Sequence, residues 1–199
     1  IQEGDRVLFN GAHKERQYFK MEGRNLGLIV KISEELPPAE ASLLYLGAIA
    51  MNGVLACDIK LGDRVCVFGL GIVGVLTALL CQLAGAHVLA IDPVPARCRH
   101  ATKAGLLNAL AVGGQNQLNA INAFWKDDAG VDIAIDASGH PLAIQNALLA
   151  AAENGQVILL GSPRIEATGN LTQAFSAIHM KMLTVKGAYN GLFPFSKTE

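Results

Sequence analysis

Apolar residues along the chain fall into two kinds of stretch in alternation. Short runs rich in Val, Ile, Leu and Phe are bounded by turn residues, and longer Ala- and Leu-rich segments lie between them. That is the pattern of buried strands alternating with helices. The Gly62-Asp63 turn leads into Arg64-Val65-Cys66-Val67-Phe68, a strand, and residues 72–84 follow as a helix that Gly85 ends. Residues 87–91 make the next strand. Pro95 opens a helix that Gly105 caps, in keeping with Pro at the first turn and Gly past the last. A weak strand over 110–112, a helix reaching about 125 and a strand over 131–136 come next. An Ala-rich helix over 141–152 and strands over 156–160 and about 182–186 complete the series. Strand and helix alternating at this pitch predict an α/β fold, a doubly wound parallel sheet with right-handed crossovers.

The first 36 residues read differently. Gly4-Asp5-Arg6-Val7-Leu8-Phe9 is a turn and strand, and residues 26–32 are a second strand candidate. Gly4-Asp5-Arg6-Val7 recurs at Gly62-Asp63-Arg64-Val65, but so short a match marks two independent turn-to-strand starts and not a structural repeat. Pro37-Pro38 ends the segment and a helix over 39–57 leads into the sheet. Residues 1–36 are therefore expected to be the remnant of another lobe, 37–191 the sheet domain and 192–199 a cut end or tail. A chain that starts at Ile1 without Met reads as trimmed or partial.

Composition narrows the classes. With 51% hydrophobic and 17% charged residues in 199, the chain can bury a sizeable core and is not disordered. Lys plus Arg against Asp plus Glu gives 16 − 17 = −1, which argues against a nucleic-acid or membrane-surface partner, since both need a basic excess. No Asp, Glu, Lys or Arg occurs over 65–91, long enough to raise a membrane span. Gly69, Gly71, Gly74 and Gly85 punctuate that run as a strand, a tight turn and a buried helix would. Cys57, Cys66, Cys81 and Cys98 are scattered, so neither a disulfide framework nor a zinc knuckle is expected, and reduced cytoplasmic thiols are. His13, His87, His100, His140 and His179 are as dispersed and read as surface or packed residues.

Gly69-Leu70-Gly71-Ile72-Val73-Gly74 fits G-x-G-x-x-G. Alone the pattern is weak, but here it follows a predicted strand and opens a predicted helix. The first Gly permits the tight turn, the second lets a pyrophosphate approach the backbone, and the third lets helix and strand pack closely. Free N–H groups at the helix start then face the phosphates. The companion requirement is an acid at the end of the next strand, to accept hydrogen bonds from the ribose hydroxyls. Asp92 lies 92 − 74 = 18 residues past the last glycine, near the expected spacing. A carboxylate there repels a 2′-phosphate, so NAD is expected over NADP. Arg97 complicates this, being able to meet a phosphate, and is expected over the adenosine end. Asp92 also reads as a helix N-cap ahead of Pro93. A methyltransferase is the rival class, disfavoured by the tight glycine spacing. No Gly-Lys-Ser or Gly-Lys-Thr follows the turn, which excludes the phosphate loop of ATPases.

Over about residues 37–191 the sequence resembles the medium-chain dehydrogenase/reductase superfamily, of zinc-type alcohol dehydrogenase kind. The resemblance rests on Leu61-Gly62-Asp63-Arg64-Val65 leading to Val67-Phe68-Gly69-Leu70-Gly71, and on Ile91-Asp92-Pro93. It extends through 132–139 (Asp-Ile-Ala-Ile-Asp-Ala-Ser-Gly), Val157-Ile158-Leu159-Leu160-Gly161 and Val185-Lys186-Gly187-Ala188. It implies a Rossmann-type NAD-binding domain with a remnant of a β-rich GroES-like catalytic lobe. Gly69, Gly71, Ile72, Val73 and Gly74 would carry the pyrophosphate. Ala137 and Ser138 would lie beside the adenosine half, Gly161 and Ser162 near the nicotinamide ribose, and Ala188 with its neighbours at the carboxamide. Asn52-Gly53 falls where the family's linking helix touches the nicotinamide. Ser138-Gly139 and Gly161-Ser162 read equally as plain strand-to-helix turns, and Asn52 as an ordinary helix residue.

Departures bear on mechanism. The family's catalytic zinc draws most of its ligands from the lobe missing here and one, a Cys or Glu, from early in the linking helix. Tyr45-Leu46-Gly47-Ala48-Ile49 stands there instead, and Glu40 is a first-turn residue. Zinc is therefore not supported by this chain. The expected activity is NAD-dependent hydride transfer between an alcohol or polyol, or the corresponding carbonyl, and nicotinamide, with no proton-transfer residue assigned. Two alternatives stay open: a non-catalytic NAD-binding or sensing module, and a zinc-free, NADPH-type enoyl or quinone reductase. A small-molecule substrate is expected, and the apolar 182–185 strand suggests a homodimer paired through its edge.

Overall fold

The computed structural model describes residues 1–9, 11, 14–18, 29–166 and 169–189. His13, the start of the 26–32 strand candidate and the 192–199 tail lie outside the described residues. In chain order the elements are β1 (Val7–Phe9), β2 (Ile29–Lys31), α1 (Pro38–Ala41), α2 (Leu44–Ala56), β3 (Arg64–Phe68), α3 (Ile72–Leu83) and β4 (His87–Asp92). Then come α4 (Pro95–Lys103), β5 (Ala109–Ala111), α5 (Asn116–Trp125), β6 (Val131–Asp136), α6 (Pro141–Ala150), β7 (Ala151–Leu159), α7 (Leu171–Met180) and β8 (Thr184–Gly187).

Strands β3 to β8 form one six-stranded sheet in the order β5-β4-β3-β6-β7-β8, and every pairing in it is parallel. The chain builds outward from β3 to β5, then crosses back to lay β6 against the other side of β3. That reversal is a topological switch point, where open α/β sheets leave a crevice beyond the carboxyl ends of the strands.

Strand side chains alternate between faces, and both faces here are covered. Val65, Val67, Val88, Ala90, Ile133 and Ile135 pack on one side with Ala78 and Cys81 of α3 and Ala101 of α4. Cys66, Phe68, Leu89, Ile91 and Ala134 pack on the other with Ile121 of α5 and Ala143 and Ala147 of α6. Double coverage is why these strands read as unbroken apolar runs. In β6 only Asp132 is exposed, and its carboxylate accepts from Arg64 N at 2.7 Å. Arg64 also makes two bonds to Asp127, at 2.8 and 2.9 Å.

β1 and β2 pair antiparallel as a separate two-stranded sheet. Arg6 ties it to the linking segment, its guanidinium donating to the carbonyls of Ser33, Glu34 and Leu36 at 2.9–3.2 Å.

Three expectations are corrected. The helix over 39–57 is two helices, because Ser42 Oγ donates to Ala39 O at 2.7 Å and the chain turns at Ser42-Leu43 before α2 starts. Such a side-chain bond offers the backbone an alternative to helix. The helix over 141–152 stops at Ala150, and β7 starts at Ala151 instead of 156. Ala151 pairs with Val131, and the register then jumps so that Gln156 faces Ile133. Lys181 holds this corner by donating from Nζ to Leu149 O and Ala151 O, both at 2.8 Å. Burial lowers its pKa, the nearby Glu153 opposing.

Helix α7 is the third correction, since no helix was expected there. Asn170 caps it, its side-chain oxygen accepting from Gln173 N at 3.1 Å. An Asn followed three positions later by Gln is a helix-start signal. No helix of the described residues is long and apolar enough to cross a membrane.

Candidate functional site: a crevice beyond β3 and β6

The glycine turn sits at the mouth of the switch point. Gly69 leaves β3 with φ +100, and a Cβ there would stand 2.8 Å from that of Ser138. Its N–H donates to Ile91 O at 2.8 Å. Gly71 is the N-cap of α3, which carries no side-chain cap, and a Cβ on Gly71 would meet nothing within 4 Å. Bare backbone thus faces open space at a helix start, which suits an anion. Gly74 is the opposite case, since a Cβ there would overlap the Gly69 carbonyl. Only hydrogen at Gly74 lets α3 lie this close to the end of β3. Ile72 is half-exposed on the first turn of α3, and Val73 beside it lines one of the cavities described below.

Asp92 ends β4 and is only 1% exposed. Its Oδ2 accepts from Leu70 N at 2.8 Å, inside the glycine turn, and its Oδ1 from Val94 N at 2.8 Å. Arg97 Nη1 approaches Oδ2 at 3.3 Å. The N-cap residue of α4 is Val94, not Asp92; Asp92 bonds the cap residue's N–H from two positions before it. The carboxylate therefore fastens the glycine turn and the start of α4 at once. An ionised carboxylate has about four acceptor positions, so one remains after these three partners. Arg97 is held by Asp92 on the rim, its side chain 55% exposed.

Two adjoining cavities run along the strand ends. One, of about 450 Å³, is bounded by Gly69, Gly71, Asp92, Arg97 and Gly113. The other, of about 470 Å³, is bounded by Ile49, Val73, Leu160, Gly161, Ser162 and Arg164. Ala137, Ser138 and His140 border both, so the two form one elongated crevice across the switch point. A larger apolar groove of about 610 Å³ lies between α6 and α7 and meets them at His140, Leu142 and Ile165.

The Ser138-Gly139 turn between the cavities is built on Asp136, which is fully buried. Its carboxylate accepts from Ser138 N at 3.0 Å, Ser138 Oγ at 2.6 Å and Gly139 N at 3.0 Å. Burial pushes its pKa up, and those hydrogen bonds pull against it. Gly139 has φ +66, and a Cβ on it would overlap Ser162 O. A Cβ on Gly161 would in turn overlap Gly139 N. The two strand-end turns are thus interlocked backbone to backbone. His140 caps α6, its Nδ1 accepting from Leu142 N at 3.2 Å, which leaves the proton on Nε2 in the neutral ring.

Asn52 and Ala188 meet each other. Asn52 Nδ2 donates to Ala188 O at 3.0 Å, while Ala188 N donates to Leu159 O at 3.0 Å. Neither residue lines either cavity. Their bond fixes α2 to the exit of β8, and at the next residue Gly53 lets α2 pack on Leu160, whose Cδ2 a Cβ there would approach to 2.7 Å.

Asp136, His140 and Arg164 were not singled out as site residues from the sequence. For Asp136 the signal was available: an acid two and three positions before the N–H groups of Ser138 and Gly139 is a turn-forming pattern. For Arg164 there was none.

Among the described residues, no group of three or more His, Cys, Asp or Glu is placed to hold a metal ion. α2, where the family resemblance expects a Cys or Glu ligand, reads LYLGAIAMNGVLA and has no Cys, His, Asp or Glu. The described residues do not fit a zinc site. All four cysteines are unpaired. Burial pushes the Cys57 and Cys81 thiols up to about 12 and raises Cys66 and Cys98 as well, so none of them is primed as a nucleophile.

A family model described as zinc-binding dehydrogenase matches residues 73–198. A sorbitol dehydrogenase from Bacillus subtilis is 26% identical over 148 residues, covering 74% of this chain and 41% of its own. An L-threonine 3-dehydrogenase from Bacillus licheniformis is 30% identical over 172 residues, covering 86% of this chain and 47% of its own. The crystal structure of 2R,3R-butanediol dehydrogenase from Bacillus subtilis aligns with a TM-score of 0.68 at 26% identity, over 84% of this chain and 47% of that one. The chain spans about half the length of the relatives it matches.

Proposed function

Because this chain belongs to the zinc-binding dehydrogenase family, we propose that its crevice holds NAD and serves an oxidoreductase acting on an alcohol or polyol, or on the corresponding carbonyl. The observation that carries the reading is the glycine turn, open at Gly71 and closed at Gly74. Bound NAD supplies the hydride acceptor, and the protein supplies placement. Backbone at Gly71, Ile72 and Val73 takes the diphosphate with the positive end of α3 behind it. Asp92 offers its remaining acceptor position to the adenosine ribose, and its charge disfavours a 2′-phosphate there. Ala137 and Ser138 border the adenosine half and Gly161 and Ser162 the nicotinamide ribose, while Ala188, held by Asn52 outside the lining of the two cavities, belongs to the carboxamide end. No residue of this chain is assigned to proton transfer, and no step is routed through zinc. Residues 1–36 would belong to the catalytic lobe and 37–191 to the NAD-binding domain.

A ligand that binds only the folded state stabilises it by about 2.7 kcal/mol at a hundredfold excess over Kd. The melting temperature is therefore expected to climb with the logarithm of NADH concentration, and less with NADPH. A melting curve indifferent to NADH up to millimolar concentration contradicts the reading.

The bare α2 favours one second reading, a zinc-free enoyl or quinone reductase, whose members usually prefer NADPH. A melting temperature that rises more with NADPH selects it.

The chain is also proposed to pair with a second copy. All four residues of β8 are exposed at the sheet edge, beside a Met182 that is 65% exposed, and an open apolar edge invites another strand. Sedimentation at micromolar concentration is expected to give a dimer; a monomer refutes this. Four unpaired thiols suit a reducing compartment such as the cytoplasm.

A further inference from the structure

Asp136 is fully buried at the end of β6, lines neither cavity, and has no part in the cofactor contacts assigned above. The three hydrogen bonds of its carboxylate all come from donors of the Ser138-Gly139 turn, at 2.6–3.0 Å, while its backbone carbonyl accepts from Leu160 N and Gly161 N at 2.9 and 2.8 Å. Burying a carboxylate costs several kcal/mol, which apolar packing alone would not incur. β6 could complete its core with an aliphatic residue there, as it does at Ala134 and Ile135. What a buried acid adds is direction, because two N–H groups and one O–H must converge on it.

The turn so shaped does two things. It presents Ser138 and His140 to both halves of the crevice. Through Gly139 it also sets the path of Gly161-Ser162, since those backbones approach too closely for any Cβ between them. Those residues line the half that excludes Asp92 and the glycine turn's outer face.

We propose that Asp136 is a positioning residue, whose buried carboxylate holds the Ser138-Gly139 and Gly161-Ser162 turns in the shape that receives the nicotinamide half of the cofactor. The proposal rests on the NAD reading above. Asp136→Asn keeps the volume but turns one acceptor oxygen into a donor facing the turn's own N–H groups. Ser138→Ala removes the 2.6 Å bond to Asp136 together with the 3.0 Å bond that His140 N donates to Ser138 Oγ, and leaves the carboxylate in place.

The test is calorimetric titration of wild type and both variants with NADH and with adenosine 5′-monophosphate, which lacks the nicotinamide half. Asp136→Asn is expected to weaken NADH by about tenfold and Ser138→Ala by a few-fold, each weakening the monophosphate by a smaller factor than NADH. Equal weakening of both ligands would make Asp136 a merely structural residue and overturn the proposal. Unchanged NADH affinity would overturn it too. If Asp136→Asn does not fold, Ser138→Ala decides by the same criterion. A wild type that binds the monophosphate but not NADH, or neither, fails the NAD reading itself and the proposal with it.

Discussion

Gly71→Ala and Gly74→Ala are expected to part company: both lose NADH binding, but only the second loses stability. At Gly71 the backbone is extended, with φ −68 and ψ −179, a conformation any residue adopts. A methyl there meets no protein atom within 4 Å, so unfolding free energy should stay within about 0.5 kcal/mol of wild type. The same methyl occupies the space through which a diphosphate reaches the backbone. NADH is expected to weaken at least tenfold, equivalent to about 1.4 kcal/mol. At Gly74 the methyl overlaps the Gly69 carbonyl, and backbone cannot swing aside as a side chain does. α3 must lift from β3, with an overpacking cost of about 1–3 kcal/mol and a broken turn. Denaturant unfolding and NADH titration of the two variants separate the roles. If Gly71→Ala bound NADH as wild type does, the open glycine would not be where the diphosphate lies.

Replacing Asp92 is expected to change which cofactor the crevice prefers. Asp92→Ala orphans the Leu70 N–H that now donates to Oδ2 at 2.8 Å, and a buried unsatisfied donor costs about 1–3 kcal/mol. It also frees Arg97, held at 3.3 Å from the same oxygen, to meet a 2′-phosphate. NADH should weaken by about ten- to a hundredfold, or 1.4–2.8 kcal/mol, while the ratio of NADPH to NADH affinity rises. Paired titrations of the variant check this. An unchanged ratio would mean that the 92–97 pair does not read the ribose end.

Local and distant causes explain how much was legible in the chain. β3, β4 and β6 are covered on both faces, so burial writes an unbroken apolar run into each, with turn residues beside it. The glycine turn was legible for a similar reason, as its three special positions lie within a few residues of one another. β7 was mistaken at its start because Ala150-Ala151-Ala152 favours helix by local propensity, and pairing of Ala151 with Val131 overrides it. α7 carries both local signals, the Asn170 cap and Leu171, Ala174, Phe175 and Ile178 at i, i+3, i+4 and i+7, so it was legible in the chain even though Leu171 and Phe175 stay over 60% exposed. In the site, Asp92 was visible as an acid at a strand end. Its bond to Leu70 spans 22 positions, and no spacing rule announces it. The Gly139–Ser162 interlock depends on β6 and β7 lying side by side, which only the fold supplies.

The account turns on whether the crevice holds a nicotinamide dinucleotide, and paired titration with NADH and NADPH, followed by nicotinamide fluorescence, asks this most directly. Saturable enhancement by NADH, with NADPH bound at least tenfold more weakly, is the expected result, and it would place Asp92 at the adenosine ribose. Enhancement by neither cofactor would contradict the account and leave the Gly69–Gly74 turn a device for packing α3 against β3.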